Sequence, residues 1–342
     1  MIKYASPHII ADDKRAVVNV MDSGWLTQGK EVVKFEKEIA KYVQAKYAVA
    51  FNSATSALYA SYRAMGMAEG TQVTTTPISY VATANMAKII GASVEFQDRQ
   101  VLAGNFVIPV HYSGRPYRFY TPKGGRVVED ASHALGSYVD GKPVGACGRS
   151  DVCVFSTHAI KSITTGEGGL ATTNSPDLAD YLRGMCNHGW YKDGLRFPGF
   201  NFRMNEMQAA LGRSQLKRLD AMRDQRQEVV NFYNEKLAGY VKTPAEREEK
   251  TYYHLYESHF RNKTQRDKVR AYLKRRGIET QIHYRPIYLE QWYQDEGWEK
   301  GLCPIAEKFY ETELSLPLHC NLTKTDVEHV VDCVRKGVER WK

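Results

Sequence analysis

The 342-residue chain is predicted to adopt an α/β fold, in which helices cover both faces of a mostly parallel sheet and a smaller C-terminal α+β domain follows. Short β-branched runs alternate with helical patterns through the first half of the chain, which is typical of an open parallel sheet. The composition, 43% hydrophobic and 25% charged, is ordinary for a globular chain with a substantial core.

The elements of the large domain are read from apolar periodicity. The expected helices are 30–43, a helix through Leu58 and Tyr62, about 80–90 with Pro77 as the preceding stop, and most of 205–237. The expected strands are 47–51, 73–76, 106–111, 126–129 and 152–156. In a sheet of this kind ligands bind at the carboxyl ends of the strands, where the polar motifs of this chain fall.

The domain boundary is expected within residues 220–245, and we divide the chain into a large domain, 1–240, and a small domain, 241–342. A helix of the small domain is predicted to open at Thr264, with Asp267 as a cap-like partner. The other expected elements are the strands 251–260, 278–283 and 313–316, and a last helix with Val327, Val330, Val331 and Val334 on one face.

Charge, apolar runs and cysteine spacing exclude several classes of protein. The net charge is +8, but the basic runs lie beside acidic residues in amphipathic patterns, so nucleic acid is not expected as a partner. No apolar run is long enough to cross a bilayer, and the start lacks a secretory signal. The six cysteines have neither metal-site nor redox spacing. We therefore expect a cytoplasmic protein that has reduced thiols, binds no metal and has no membrane partner. The alternative is an exported protein whose signal was removed.

A lysine follows the last of these strands, in the segment STHAIKSITTGEGG. Lys161 lies between a buried strand and a glycine-rich turn, where partial desolvation lowers the pKa of an amine and makes it nucleophilic. Taken alone, Lys161 could equally be an ordinary surface lysine.

Two further motifs end other strands. Asp130, in EDASHALGS, could cap a helix, or it could keep the pyridine nitrogen of pyridoxal phosphate protonated so that the ring acts as an electron sink. The turn NSAT, residues 52–55, has small residues and the amides of a helix start, which suit a phosphate dianion. Together with Lys161 in a parallel sheet, these motifs indicate a fold-type I pyridoxal phosphate enzyme.

Segments spread over nearly the whole chain resemble the sugar aminotransferases of the DegT/DnrJ/EryC1/StrS family. They are HAIKSITTGEGG, EDASHALGS, NSATSALY, TTPISYVATANM, GWLTQGKEVVKFEKEIA and GFNFRMNEMQAALGRSQL. NSATSALYASYRAMG, TTPISYVATANM, IHYRPIYLEQWY and SLPLHCNL most resemble the members that act in pseudaminic acid biosynthesis. The resemblance implies a homodimeric enzyme with shared active sites that uses pyridoxal phosphate, and pyridoxamine phosphate in the half-reaction. It also implies transfer of an amino group from L-glutamate to C4 of a UDP-linked 4-keto-6-deoxy sugar.

The resemblance also implies roles for individual residues. Lys161 would bond the cofactor, and Asp130 would contact its pyridine nitrogen. The other implied cofactor contacts are His133 near the 3-hydroxyl, Tyr80 on the ring, Ala54, Thr55 and Ser156 at the phosphate, and Asn201 from the neighbouring subunit. The implied substrate-binding residues are Trp25, Thr27, Gln28, His283, Tyr284 and His188, the last of which could equally be a packed core histidine.

One segment departs from the family pattern. Between Val94 and Asp130 family members have two strand–helix excursions, whereas here the region 97–125 is compacted. This leaves open an aminotransferase for another keto sugar, linked to GDP or dTDP, and a non-catalytic sensor or structural protein that binds pyridoxal phosphate. The family also contains sugar dehydratases with histidine at the position of the bonding lysine, and Lys161 argues against that activity.

Overall fold

A central sheet of seven strands organises the computed structural model, which describes residues 1–98, 101–244 and 250–342. The described strands are β1 (Tyr47–Phe51), β2 (Gln72–Thr75), β3 (Ser93–Phe96), β4 (Val101–Ala103), β5 (Phe106–Ile108), β6 (Arg118–Tyr120), β7 (Arg126–Asp130), β8 (Tyr138–Val139), β9 (Lys142–Pro143), β10 (Val152–Ser156), β11 (Gly169–Thr173), β12 (Trp190–Tyr191), β13 (Gly194–Leu195), β14 (Tyr256–His259) and β15 (Glu313–Leu316). The described α-helices are α1 (Ala11–Asp22), α2 (Lys30–Val43), α3 (Ala54–Ala64), α4 (Ala82–Ile90), α5 (Pro176–Cys186), α6 (Glu206–Leu216), α7 (Leu219–Leu237), α8 (Lys263–Arg275), α9 (Gln291–Asp295), α10 (Pro304–Thr312) and α11 (Lys324–Arg340).

The sheet order is β1-β11-β10-β7-β5-β2-β3. The five strands from β10 to β3 pair in parallel, and β11 runs antiparallel to both β10 and β1. The carboxyl ends of β2, β7 and β10 therefore meet at one edge, because parallel strands end on the same side. The predicted α/β class with a mostly parallel sheet is confirmed.

Strand β10 shows that the sheet is buried on both faces. Val152 and Val154 belong to one apolar core, while Cys153 and Phe155 belong to another. Successive side chains of a strand point to opposite faces, so a strand that is apolar throughout needs helices on both sides. Helices α3 and α4 supply one cover, and α2 and α6 supply the other.

A third apolar core lies under α7, α8 and α11 and contains the four valines predicted for the last helix. The N-cap of helix α8 lies two residues earlier than expected, because Asn262 caps the helix and accepts a hydrogen bond from the amide of Gln265 at 2.9 Å. The predicted opening at Thr264 is therefore wrong, and Asp267 instead contacts Arg266 at 2.6 Å. The division at residue 241 stays a prediction, and residue 245 of the expected boundary lies outside the described residues.

Some predicted strands are shorter than expected. The segment 278–283 is no strand and forms only single bridges, from Ile278 to Ile2 and from Gln281 to Ser315. The strand expected over 106–111 ends at Ile108, because Pro109 has no amide to continue the ladder. The strand expected over 251–260 is confined to β14. Apolar runs locate these segments, but the available partners set their lengths.

The compacted region contains no α-helix between α4 and α5 in the described part of the chain, as predicted. The strands β4 and β6 form a parallel pair outside the central sheet. This segment is tied to the large domain by His111, whose Nε2 lies 2.5 Å from a carboxylate oxygen of the buried Glu129. The amide of Tyr117 donates to His111 Nδ1 at 2.9 Å. Within the compacted region 97–125, residues 99–100 lie outside the described residues.

Candidate active site

A cavity of about 420 Å³ opens at the carboxyl edge of the central sheet. It brings together many of the residues that the sequence predicted for the site: Ala54, Thr55, Tyr80, Asp130, His133, Ser156, Lys161, His283 and Tyr284. These residues come from separate elements, so the parallel sheet is what gathers them. The geometry within the cavity then shows what each group can do.

One end of the cavity is the start of helix α3. Ser53 is the N-cap and accepts a hydrogen bond from the amide of Ser56 at 3.1 Å. Among the described residues, no acceptor takes the amides of Ala54 and Thr55, which remain available to a ligand. A Cβ at Gly169 would lie only 2.4 Å from the Ala54 nitrogen, so glycine is needed for this turn to approach β11. Free amides at the positive end of a helix suit a phosphate group.

Asp130 ends β7 with a buried carboxylate whose two oxygens are held in place. Thr83 Oγ1 donates to Oδ2 at 2.6 Å, and Ser132 donates to Oδ1 from its hydroxyl at 2.6 Å and its amide at 3.1 Å. Thr83 in turn lies 2.7 Å from the hydroxyl of Ser79. A carboxylate fixed in this way presents its charge to the cavity in one orientation.

Lys161 follows β10 and faces the same cavity. Burial lowers the pKa of Lys161 to about 8, although the Asp130 carboxylate acts in the opposite direction. Within the described ranges, the Lys161 side chain takes part in no hydrogen bond or ion pair seen in the structure. The amine is therefore partly neutral near neutral pH, which is the state of a nucleophile or a proton acceptor.

His133 is buried and neutral. Its Nδ1 accepts a hydrogen bond from the amide of Ser113 at 3.2 Å, so the proton of the ring resides on Nε2. Nε2 lies 3.3 Å from the hydroxyl of Tyr284, and the ring packs on His254 with centroids 4.2 Å apart. Burial, together with the charges of Lys161 and His283, holds the pKa of His133 well below its usual range. His133 can therefore offer a hydrogen-bond donor to a ligand.

Aromatic side chains form the outer wall of the cavity. Tyr80 is 64% exposed and lies over the opening, 6.5 Å from Tyr284 between ring centroids. Sequence reasoning missed two members of this wall, Tyr4 and Tyr112. Tyr4 reaches the cavity because its carbonyl accepts a hydrogen bond from the amide of Leu318, a long-range contact that no local sequence pattern signals.

Further polar residues of the cavity were also missed by sequence reasoning. They are Ser53, Ser79, Ser132, His158 and Glu167. Each lies inside a motif that the sequence singled out, so membership of these motifs was the signal that could have found them.

Other predicted site residues lie outside this cavity in the single chain. They are Trp25, Thr27, Gln28, His188 and Asn201. Trp25 is 61% exposed, with its indole nitrogen donating to the Gln28 carbonyl at 3.1 Å, and Asn201 is exposed. Their assignments stay predictions.

Two kinds of feature are absent from the part of the chain that the structure describes. No helix there is long and apolar enough to cross a membrane. No group of three or more His, Cys, Asp or Glu side chains there is arranged to hold a metal ion.

Fold and cavity together define an α/β enzyme with the fold-type I architecture of pyridoxal phosphate-dependent transferases. Comparison with known proteins then identifies its family. Residues 7–335 match the DegT/DnrJ/EryC1/StrS aminotransferase family, and the chain belongs to that family. The resemblance read from the motifs is confirmed. Aminotransferases of this family use pyridoxal phosphate.

Individual relatives match over almost their full length. A Helicobacter pylori protein named UDP-4-amino-4,6-dideoxy-N-acetyl-beta-L-altrosamine transaminase is 35% identical over 372 residues, which covers 99% of this chain and 98% of the relative. The structure of Helicobacter pylori PseC, an aminotransferase involved in the biosynthesis of pseudoaminic acid, superposes with a TM-score of 0.91 at 34% identity and covers 99% of this chain and all of PseC. Streptococcus pneumoniae Spr1654 in its PLP form superposes with a TM-score of 0.91 at 26% identity, covering 98% of each chain.

Proposed function

We propose that this enzyme uses pyridoxal phosphate to move an amino group from L-glutamate to C4 of a UDP-linked 2-acetamido-4-keto-2,6-dideoxy sugar. The product would enter the biosynthesis of a pseudaminic acid-type glycan in the cytoplasm. The observation that carries the proposal is one cavity in which Lys161, with its lowered pKa, shares the wall with Asp130 and the free amides of α3. The 35% identity to the Helicobacter pylori transaminase supports this choice of sugar.

The residues of the cavity fit pyridoxal phosphate at three places. The amides of Ala54 and Thr55, with the Ser156 hydroxyl, would hold the phosphate. Asp130 would hold the pyridine nitrogen, because a fixed carboxylate favours a protonated ring. Lys161 would bond the aldehyde carbon. When bound, the cofactor supplies an electron sink that makes a proton next to the substrate nitrogen easier to remove.

Proton transfer is the proposed task of Lys161. Its Nζ takes the α-proton of glutamate and later delivers a proton to C4 of the sugar. One amine can serve both steps because a pKa of about 8 leaves it able to accept and to donate near neutral pH. His133 Nε2, which carries the ring proton, is proposed to donate to the 3-hydroxyl of the cofactor.

The nucleotide sugar is proposed to lie against His283, Tyr284 and Tyr80 at the outer wall. The remaining substrate-binding residues predicted from the sequence are proposed to complete the pocket in a homodimer: Trp25, Thr27, Gln28 and His188. A chain with a net charge of +8 favours the approach of a diphosphate.

The sugar assignment is tested by a substrate panel. The enzyme loaded with cofactor should aminate the UDP-linked 4-keto sugar at least about tenfold more efficiently, in kcat/KM, than GDP- or dTDP-linked 4-keto sugars, because the pocket would bind the matching nucleotide more tightly. Formation of 2-oxoglutarate measures the rate, and NMR of the product fixes the position and configuration of the new amine. Preference for another nucleotide would contradict the UDP assignment. Absence of amination with every sugar would favour a non-catalytic protein.

The shared active site is tested by mixing two defective variants. Asn201→Asp should be inactive because it places a carboxylate against the phosphate, and Lys161→Ala should be inactive because it lacks the amine. In a mixed dimer, the intact Lys161 of one chain and the intact Asn201 of the other would form one complete site. Activity should therefore reappear in proportion to the mixed dimers, as quantified by differently tagged chains.

The two single variants, each refolded alone, are the controls for this experiment. If Lys161 and Asn201 served the site of the same chain, both sites of every mixed dimer would carry a defect. Verified mixed dimers without recovered activity would therefore rule out the shared site.

A further inference from the structure

Three buried groups at the cavity wall form a line of hydrogen bonds, and two of them, Glu313 and Ser315, have no role in the proposed reaction. Glu313, at the start of β15, is fully buried, and its Oε2 accepts a hydrogen bond from the backbone amide of His283 at 2.7 Å. Its Oε1 lies 2.6 Å from Oγ of Ser315, which is also fully buried. Ser315 Oγ lies 2.8 Å from Nδ1 of His283, which is one of the residues that line the cavity. The line thus joins a carboxyl group of the small domain to the cavity.

The same distances allow two arrangements of protons. If Glu313 is ionised, Ser315 donates to it, His283 Nδ1–H donates to Ser315, and His283 Nε2 is left as an acceptor. If Glu313 is protonated, it donates to Ser315, which donates to Nδ1, and Nε2 carries the ring proton. The hydroxyl of Ser315 has one proton and can donate in only one direction. The protonation state of Glu313 therefore determines whether Nε2 of His283 carries a proton.

We propose that Glu313 and Ser315 are positioning residues that set the tautomer of His283 and keep its Nε2 a hydrogen-bond donor toward the cavity at neutral pH. The inference depends on the proposed function only for its ligand, a carbonyl or phosphate oxygen of the nucleotide sugar. Such an oxygen accepts hydrogen bonds and donates none, so only the Nε2–H form of His283 binds it.

The groups around Glu313 favour its protonated form. Burial raises the pKa of Glu313 to about 8. The hydrogen bonds from Ser315 and the His283 amide lower this pKa, but by less than burial raises it. The charge of Glu257 on β14 acts with burial, and the Arg266 guanidinium on α8 acts against it. Glu313 therefore donates its proton into the line below about pH 8 and loses it above.

The groups around His283 keep its ring neutral in both arrangements. Burial and the charge of Lys161 lower the pKa of His283 to about 3. Its other titratable neighbours include Tyr4, with its ring centroid 5.8 Å away, Tyr284, and the buried His133 and His254. His259, opposite Glu313 in β14, has a pKa lowered by burial to about 4 and is also neutral at working pH. Glu313 and Lys161 are thus the groups in this set whose charge changes near pH 8, and Glu313→Gln separates their effects because it leaves Lys161 unchanged.

The test reads the position of the ring proton directly. ¹⁵N NMR of histidine-labelled holoenzyme distinguishes the two tautomers, and His283→Asn identifies the signals. In the parent protein the proton should lie on Nε2 at about pH 6.5 and move to Nδ1 by about pH 9.5, as expected for a group that titrates between those values. Glu313→Gln should keep it on Nε2 throughout, because the amide always donates to Ser315. Ser315→Ala should abolish the dependence on pH.

Glu257→Gln is the matched control, since it makes the same change on the neighbouring strand outside the line. It should retain the switch with a midpoint at slightly lower pH, because a like charge has been removed. Thermal melting shows which variants are folded. A His283 signal that is independent of pH in the folded parent, or that titrates in folded Glu313→Gln as in the parent, would overturn the inference.

Sugar binding supplies the second measurement. KM for the UDP-linked keto sugar should rise several-fold in the parent between about pH 7 and 9.5 and stay flat in Glu313→Gln, because only the donor tautomer binds an acceptor oxygen. KM for glutamate should not show this difference. A tautomer that switches while KM for the sugar stays flat in both proteins would contradict the proposed sugar pocket and leave the control of the tautomer by Glu313 intact.

Discussion

Replacement of Lys161 by alanine should lower kcat to less than about a thousandth of the parent value, because the group proposed to carry both protons is lost and no other lysine among the described residues lines the cavity. Pyridoxamine phosphate should still bind, since Asp130 and the amides of α3 remain. Transamination is measured as 2-oxoglutarate formed, and cofactor binding by its absorbance after gel filtration.

The control is Lys268→Ala, which removes an exposed lysine from α8 and should leave kcat unchanged. In the parent protein, borohydride should fix the cofactor covalently to Lys161, as located by peptide mass spectrometry. A labelled peptide elsewhere, or turnover by Lys161→Ala close to the parent rate, would contradict the role of this residue.

Replacement of Asp130 by asparagine should lower kcat at least about a hundredfold, because an amide cannot stabilise a protonated pyridine and the electron sink is weakened. The fold should tolerate the change. The amide oxygen can still accept from Ser132, and the Thr83 hydroxyl can turn toward Ser79, which lies 2.7 Å away. Cofactor affinity should therefore fall much less than kcat.

Asp151→Asn is the matched control for Asp130→Asn. Its carboxylate accepts a hydrogen bond from the amide of Val127, which lies near the start of β7, whereas Asp130 ends that strand. An asparagine oxygen can accept the same bond. It should keep the parent activity. If Asp130→Asn kept activity within a few-fold, the carboxylate would not be the partner of the pyridine nitrogen.

The features predicted best from the sequence are those that depend on residues close together in the chain. Helix α2, strand β1 and strand β10 have the predicted limits, because α2 has an apolar stripe with a helical period and each strand is a short apolar run with a clear end. Asp130 and Lys161 could be placed for the same reason, since both lie at the ends of buried strands. The parallel sheet then brings them to one edge, as expected.

Features that depend on distant contacts escaped prediction. Tyr4 enters the cavity through a contact with Leu318, and Ser315 reaches His283 through a single bridge between β15 and the segment before His283. The N-cap of α8 was misplaced because Asn262 and Thr264 are both good caps, and only the backbone geometry chooses between them. Residues proposed to act across a dimer cannot be placed by one chain.

The buried pair of His111 and Glu129 makes the stability of one part of the cavity wall depend on pH. Although burial opposes its charge, the hydrogen bond from His111 holds the pKa of Glu129 below its usual range. Glu129 thus binds a proton less readily when folded than when unfolded, so its contribution to folding is present above the unfolded pKa and is lost as the pH falls through the folded one. The described part of the segment fastened by His111 has no α-helix of its own, so we expect acid to loosen this border before it affects the apolar cores.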